Sequence, residues 1–201
     1  MARKTEHYYT EKPGIPYHEQ EIAIQFQGKK FTFFTAAGTF SKDRLDKGTE
    51  TLIQHCILKP AWEVLDLGCG YGVVGILLKH FHPNVQVSMS DINHRAVQLA
   101  RKNAKRYGLE TEIRQGNMLE PFAGKQFDTI LLNPPQVAGK EICFQMIEQS
   151  KEYLKRGGLL QLVARHNKGG KTLAEKMQEV FGNVKEIAKS GGYRVYVSEK
   201  Q

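Results

Sequence analysis

The chain has 201 residues, of which 40% are apolar, so its length and composition suit one domain with a buried core. It contains no apolar run long enough to cross a membrane, and its polar N-terminus does not predict a secretory signal. The formal net charge of +8 and the pI near 9.3 favour polyanionic partners such as nucleic acid, although a basic solvated surface gives the same values.

The N-terminal part is predicted to be an arm followed by a β-hairpin. Residues 1–20 are polar, contain prolines and show no periodicity, which is typical of a flexible arm. Apolar and polar residues then alternate on both sides of a turn at Gly28, which predicts a hairpin over residues 21–35. A short helix is predicted over residues 48–58, before Pro60.

From residue 62 onward, strands and helices alternate regularly. The first two strands are nearly continuous apolar runs, typical of strands that helices cover on both faces. The pattern predicts a Rossmann-like α/β domain over residues 21–201, with a seven-stranded, mostly parallel, doubly wound sheet and an antiparallel last strand. The predicted strands are 62–67, 85–90, 111–115, 127–132, 158–164, 183–188 and 193–198, and the predicted helices are 72–81, 93–107, 139–154 and 171–181.

A glycine-rich turn joins the first of these strands to the first helix. Glycines tolerate positive φ and leave room for a ligand to approach the backbone, and the turn contains Gly68, Cys69, Gly70 and Gly72. Asp66 comes just before the turn, where its carboxylate can meet a cationic amino group or order the loop. A tight strand–helix turn that binds no ligand has similar residues, so the glycines alone do not distinguish a binding site from an ordinary turn.

The second strand ends in Asp91, where a carboxylate can accept hydrogen bonds from ribose hydroxyls. NAD and S-adenosylmethionine (AdoMet) both contain such a ribose. NAD sites have Gly-x-Gly-x-x-Gly spacing, which fits here only from Gly70 to Gly75 and leaves Gly68 unexplained. The carboxylate of Asp66 suits a ligand with an ammonium group and no phosphate. AdoMet is therefore the expected cofactor.

Another predicted strand ends at the same sheet edge in Asn133-Pro134-Pro135. Each proline fixes its own φ and keeps the residue before it extended. The side-chain oxygen of Asn133 and the carbonyl of Pro134 can then both accept from one amino group. Such bonds would make the nitrogen more nucleophilic toward a methyl donor. A strand-terminating turn is the alternative interpretation of this segment.

These motifs, together with Gly38-x-Phe40-Ser41 and Leu45-Asp46-x-Gly48, resemble a known enzyme family over residues 21–198. The chain is similar to the small-ribosomal-subunit RNA guanine-N2 methyltransferases and their single-domain relatives, which are class I AdoMet-dependent enzymes. The resemblance implies methyl transfer to guanine N2 of ribosomal RNA, with Asn133, Pro134 and Pro135 as catalytic residues. The residues expected at the cofactor are Asp66, Gly68, Cys69, Gly70, Gly72, Asp91, Ile92, Asn117 and Asn133.

Two departures from the family concern RNA recognition. Larger members carry a second, degenerate copy of the domain, which is absent from this sequence, and an aromatic residue commonly follows Asn-Pro-Pro where this chain has Gln136. Phe40 is the candidate for stacking on the target base instead. The basic segment after the fifth predicted strand is a candidate for phosphate contacts, through Arg165, Lys168 and Lys171, although a solvated loop has the same composition.

The expected partner is ribosomal RNA or the small ribosomal subunit, and the oligomeric state, monomer or dimer, is open. Adenine N6 and protein glutamine are alternative acceptors, and a non-catalytic AdoMet-responsive RNA-binding module is the alternative outside the enzymes. Three separated cysteines, Cys56, Cys69 and Cys143, predict no disulfide and a reducing cytoplasm. No cluster with ligand spacing predicts a bound metal.

Overall fold

The computed structural model describes residues 18–36, 45–135 and 139–201. The strands are β1 (Glu19–Phe26), β2 (Lys29–Ala36), β3 (Glu63–Leu67), β4 (Gln86–Asp91), β5 (Glu112–Gln115), β6 (Phe127–Leu132), β7 (Leu154–Arg165), β8 (Lys185–Ser190) and β9 (Tyr193–Glu199). The helices are α1 (Lys47–His55), α2 (Val73–Phe81), α3 (His94–Arg106), α4 (Lys140–Tyr153) and α5 (Lys171–Phe181). None of the helices in this part of the chain is long and apolar enough to cross a membrane.

Seven strands form the central sheet, in the order β5-β4-β3-β6-β7-β9-β8. Strands β3 to β7 are parallel to one another, and β9 runs antiparallel to both β7 and β8. The strand order reverses between β3 and β6, and open α/β sheets bind ligands at the carboxyl ends of strands beside such a point. The predicted Rossmann-like, mostly parallel sheet with an antiparallel last strand is confirmed.

An apolar core lies on each face of the sheet. Val64 in β3 packs in the core that contains the hairpin residues and α1 to α3, whereas its neighbour Leu65 packs in the core under α4 and α5. Successive residues of a strand point to opposite faces, so a strand with a core on both sides must be apolar throughout. The nearly continuous apolar runs seen in the sequence have this cause.

The N-terminal hairpin, β1 and β2, packs against α3 and supports the glycine-rich turn. The Asn103 side chain donates to the carbonyl oxygens of Phe34 in β2 and Tyr71 in the turn, both at 2.9 Å. Its oxygen accepts from the Phe34 N–H at 2.7 Å. The pairing of Glu19 with Ala36 shows that β1 begins two residues before the predicted start, within the predicted arm. The predicted arm before residue 18 lies outside the described residues.

Two predicted element boundaries are wrong because distant side chains bind the backbone there. The helix predicted over 48–58 ends at His55, since Gln161 in β7 both donates to the Ile57 carbonyl and accepts from its N–H, at 2.8 Å each. The strand predicted over 183–188 begins at Lys185, because the Ser198 hydroxyl in β9 donates to the Asn183 carbonyl at 2.6 Å and holds the chain at a corner. Neither partner lies near these segments in sequence.

The junction between α4 and β7 also differs from the prediction. The helix predicted over 139–154 ends at Tyr153, and β7 begins at Leu154 rather than at residue 158. Leu154 pairs with Phe127 in β6, and the register then shifts before Thr129. The extra length is an irregular start of the strand, which period-2 alternation does not reveal.

Candidate active site

The glycine-rich turn follows β3 and lies against the carboxyl end of β4. The N–H groups of Gly68 and Cys69 both donate to the Ser90 carbonyl, at 2.8 and 2.9 Å. Gly68, Gly70 and Gly72 have φ of +73°, +56° and +88°, a region that other residues adopt at a cost. A Cβ at Gly72 would lie 3.1 Å from Ala100 Cβ, so this glycine allows α2 and α3 to pack closely.

Asp91 connects the end of β4 to the glycine-rich turn. Its Oδ2 accepts from the Gly70 N–H, and its Oδ1 accepts from the Asn93 N–H, both at 2.8 Å. A carboxylate oxygen has two lone pairs, so each oxygen can accept a further hydrogen bond. Burial raises the pKa of this carboxyl, and the backbone donors oppose that rise. The residue therefore orders the turn and keeps acceptor capacity for a ligand.

Asp66 is buried at the end of β3, with 4% of its surface exposed. Its Oδ2 accepts from the Gly75 N–H in the first turn of α2 at 3.0 Å. Burial raises the pKa of the Asp66 carboxyl to about 7, and the neighbouring Asp91 carboxylate adds to this rise. Asp66 thus orders the start of α2, directly after the glycine-rich turn, and its predicted contact with a cationic amino group stays a prediction.

The raised pKa of Asp66 predicts a pH-dependent stability. Since an unfolded aspartate has a pKa of about 3.9, the native state holds a proton between about pH 4 and pH 7 that the unfolded state has released. The stabilisation that this proton provides is complete below about pH 4 and is lost as the pH rises toward 7. Asp66→Asn keeps an uncharged acceptor for Gly75, so the variant should gain stability relative to wild type across this interval. Urea unfolding of both proteins at about pH 5 and about pH 8 measures this difference, and equal differences at the two pH values would contradict the prediction.

Asn133 follows β6 and lies beside the start of α1. Its Nδ2 donates to Thr49 Oγ1 at 3.0 Å, and the Thr49 hydroxyl donates to Asp46, the residue that caps α1. A Cβ at Gly48 would lie 2.7 Å from the Tyr193 ring. The Leu45-Asp46-x-Gly48 segment thus brings the helix start close to both β9 and Asn133.

The predicted cofactor and catalytic residues converge on one cavity of about 250 Å³ at the carboxyl edge of the sheet. From β3 and the glycine-rich turn it is lined by Asp66, Gly68, Cys69 and Gly70. From β4, the loop after β5 and the segment after β6 it is lined by Asp91, Ile92, Asn117, Asn133 and Pro135. Gly72 and Pro134 are not lining residues. The packing of Gly72 against α3 explains its position, and Pro134 is buried beside Asn133.

Sequence reasoning missed several further lining residues, and five of them show where the missing information lay. Ile142, Gln145 and Met146 come from α4, Met118 from the loop after β5, and Thr49 from α1. No short motif marks the α4 residues, because they line the cavity only after the helix packs across the sheet. Thr49 directly follows the Leu45-Asp46-x-Gly48 motif, which was the available signal. Met118 has φ of +48°, a costly conformation for a residue other than glycine.

Of the predicted RNA-binding residues, the structure describes Arg165, Lys168 and Lys171, and none of these three lines the cavity. Arg165 ends β7 with its guanidinium 5.2 Å from the Tyr193 ring centroid, and Lys168 and Lys171 are exposed in the following segment. The segment His166–Gly170 leads directly into α5, and it is an irregular turn because Lys168 and Gly169 have non-helical backbone angles. The His166 N–H donates to the Gly192 carbonyl at 3.0 Å and fixes the turn to the β8–β9 hairpin. Phe40 and Gln136 lie outside the described residues.

Comparison with known proteins identifies similar chains. Residues 30–197 match the family model "Methyltransferase small domain". The chain is 36% identical to the uncharacterized protein YbxB of Bacillus subtilis, over 98% of this chain and 99% of that protein. It is 34% identical to ribosomal RNA small subunit methyltransferase C of Haemophilus influenzae strain PittGG, over 84% of this chain and 51% of that protein.

Among solved structures, the T. thermophilus 16S rRNA N2 methyltransferase RsmC, in complex with AdoMet and guanosine, has a similar fold. The TM-score is 0.79 at 22% identity, over 94% of this chain and 52% of that chain. The ribosomal protein L11 methylase of Lactobacillus delbrueckii subsp. bulgaricus has a TM-score of 0.62 at 21% identity, over 79% of this chain and 84% of that chain. The chain spans about half the length of the small-subunit methyltransferases that it matches.

Proposed function

The chain belongs to the methyltransferase small domain family, and we propose that it transfers a methyl group from AdoMet to guanine N2 of small-subunit ribosomal RNA. The observation that carries this proposal is the position of Asn133. Its amide lies in the same cavity as the glycine-rich turn and Asp91, with its NH₂ group bound to Thr49. The similarity to curated small-subunit methyltransferases supports ribosomal RNA as the substrate class.

The residues of the cavity fit AdoMet. Asp91 retains lone pairs for ribose hydroxyls, and the buried carboxylate of Asp66 suits the ammonium of the methionine part. Asn117 is exposed at the cavity edge, where an amide can bind the adenine ring. Ile92, which also lines the cavity, can provide apolar contact for the nucleoside. When bound, AdoMet supplies an electrophilic methyl group.

The chain's own residues would position the acceptor amino group and change its electron distribution. The Asn133 oxygen can accept from one hydrogen of the target NH₂ group in the cavity, whereas Pro134 does not line the cavity and keeps Asn133 extended. The hydrogen bond draws this hydrogen out of the base plane, so the nitrogen lone pair is less delocalised and more nucleophilic. The proton can leave after the carbon–nitrogen bond has formed, so no strong base is required. Positioning and fixed dipoles account for the catalysis.

RNA binding is proposed for the basic surface beside the cavity, formed by Arg165, Lys168 and Lys171. Arg165 ends β7, the strand beside β6, so it lies at the same sheet edge as Asn133, and Lys168 and Lys171 follow it toward α5. All three residues are exposed. In the structure Lys171 is 4.0 Å from Glu175, and the exposed side chains of this pair interact weakly. Charges in this position can contact phosphates while a base enters the cavity.

Replacing Arg165, Lys168 and Lys171 with alanine should weaken RNA binding and lower its salt dependence. Each phosphate contact releases counterions, so losing three contacts should reduce the slope of log K against log salt by roughly 2 for a single strand. AdoMet affinity should stay unchanged. Filter binding or fluorescence anisotropy over a series of salt concentrations measures the slope.

A matched control removes three exposed lysines at the opposite sheet edge, Lys59, Lys105 and Lys185. Both triple variants lower the net charge equally, so a difference between them reports position rather than total charge. Equal slopes for the wild type and the variant lacking Arg165, Lys168 and Lys171 would show that RNA binds elsewhere.

Labelled-methyl transfer tests the proposed function directly. The protein is incubated with methyl-labelled AdoMet and either free small-subunit RNA or assembled small subunits, and the RNA is digested to nucleosides. Label in N2-methylguanosine is the expected result. Label in N6-methyladenosine or in protein glutamine would overturn the choice of acceptor. AdoMet binding without transfer to any of these would favour a non-catalytic RNA-binding module.

A further inference from the structure

Three hydrogen-bonded side chains connect the start of α1 to the cavity. Asp46 caps the helix, and its Oδ1 accepts from the N–H groups of Gly48 and Thr49 at 2.9 and 3.2 Å. Its Oδ2 accepts from the Thr49 hydroxyl. Thr49 Oγ1 in turn accepts from Asn133 Nδ2 at 3.0 Å. Thr49, at the start of the helix, is thus in contact with a cavity residue that lies 84 positions further along the chain.

The chemistry of these groups determines the direction of every bond. A carboxylate has no proton to donate, so Thr49 must use its only hydroxyl proton for Asp46. The Thr49 oxygen can then offer Asn133 nothing but lone pairs, and Asn133 must turn its NH₂ group toward it. The amide oxygen of Asn133 is therefore directed away from Thr49, and it is the acceptor that Asn133 can offer in the cavity that this residue lines.

Among the residues that the structure describes, Thr49 is the hydrogen-bond partner of the Asn133 amide. No other described group forms a hydrogen bond with that amide. Thr49 is 2% exposed, so water has little access to replace its oxygen. If the bond were lost, the amide could rotate and present NH₂ to the cavity. Two NH₂ groups facing each other cannot form the bond that the proposed reaction needs.

We propose that Thr49 is a positioning residue that orients Asn133, and that Asp46 sets the direction of the Thr49 hydroxyl. The inference rests on the proposed role of Asn133 as the acceptor for the target amino group. It also explains the Leu45-Asp46-x-Gly48 segment, whose glycine lets Tyr193 pack against the helix start. The Leu45-Asp46-x-Gly48 segment then affects the reaction by fixing the orientation of the Asn133 amide.

Thr49→Val removes the hydroxyl at nearly constant volume and should lower kcat about tenfold, with little change in KM for RNA or AdoMet. Thr49→Ser keeps the hydroxyl and should restore most of kcat. Thr51→Val is the matched control, because Thr51 is buried on the same helix and its hydroxyl donates to the Lys47 carbonyl, away from the cavity. Its kcat should equal that of wild type.

Asp46→Asn gives a second test that preserves the helix cap, since Asn and Asp cap helices about equally well. An amide at position 46 can donate to Thr49 Oγ1, which frees the hydroxyl proton to point at Asn133 and reverses the orientation of its amide. We expect kcat to fall several-fold while the melting temperature changes little. Unchanged kcat in both Thr49→Val and Asp46→Asn would overturn the proposal.

Combining Thr49→Val with Asn133→Ala tests the positioning role of Thr49 separately from the catalytic role of Asn133. If Thr49 acts through Asn133, the double variant should be as slow as Asn133→Ala alone in single-turnover assays. An additional tenfold loss in the double variant would show that Thr49 acts independently of Asn133, and the inference would be wrong while the catalytic role of Asn133 stands. Normal turnover by Asn133→Ala would refute both.

Discussion

Asn133→Ala is expected to lower kcat about a hundredfold, because it removes a preorganised acceptor at the reacting nitrogen. The contact strengthens as the nitrogen becomes pyramidal, so its loss should affect turnover more than binding. The affinities for AdoMet and RNA should change little. Steady-state kinetics with labelled AdoMet, together with calorimetry, measures both quantities on the same protein.

Asn133→Asp is the informative companion variant. The carboxylate keeps an acceptor for the target amino group but loses the donor to Thr49. We therefore expect its kcat to lie between those of Asn133→Ala and wild type. If Asn133→Ala instead turns over at nearly the normal rate, the Asn-Pro-Pro segment is a strand-terminating turn and the catalytic role of Asn133 is wrong.

Asp91→Ala is expected to weaken AdoMet binding between about tenfold and a hundredfold, since hydrogen bonds to charged groups contribute about 1.5–3 kcal/mol each. The variant loses the proposed ribose acceptor and also the bond that holds Gly70. Isothermal calorimetry of the variant with AdoMet measures the change. Thermal unfolding shows whether the domain remains folded.

Asp128→Ala provides the control for Asp91. Asp128 also accepts a backbone N–H, that of Glu63 at 2.8 Å, but it lies at the start of β6 and therefore at the opposite sheet edge. Its loss removes a comparable carboxylate without touching the cavity, so AdoMet affinity should be retained. Equal AdoMet affinities for Asp91→Ala and wild type would remove Asp91 from the binding site.

The central helices and strands are predictable because their signals are local. The apolar run of β3, the glycines that follow it and the helical period of α2 all lie within about twenty residues. The predicted boundaries were wrong where a distant side chain binds the backbone, as Gln161 does at Ile57. Such contacts depend on which strands become neighbours, and no short window contains that information.

The residues that line the cavity were predicted only where a local sequence signal marks them. Asp66, Asp91 and Asn133 each lie within one residue of the carboxyl end of a parallel strand, so the alternation of elements already places them at one edge. The contributions of α4, including Met146, depend on how that helix packs over the sheet. Packing geometry is set by side chains from several elements together, which a linear pattern does not specify.

By itself, the sequence determined the fold class, the edge of the sheet where the site lies and the residue types that point to methyl transfer, because each of these follows from short patterns along one strand or turn. Only the tertiary structure decided how the side chains act. In the folded chain, both Asp91 oxygens accept hydrogen bonds from backbone N–H groups, and Asp66 is buried. Thr49 accepts a hydrogen bond from Asn133. Hydrogen bonds need atoms within about 3 Å, and folding brings residues to that distance regardless of their separation in sequence.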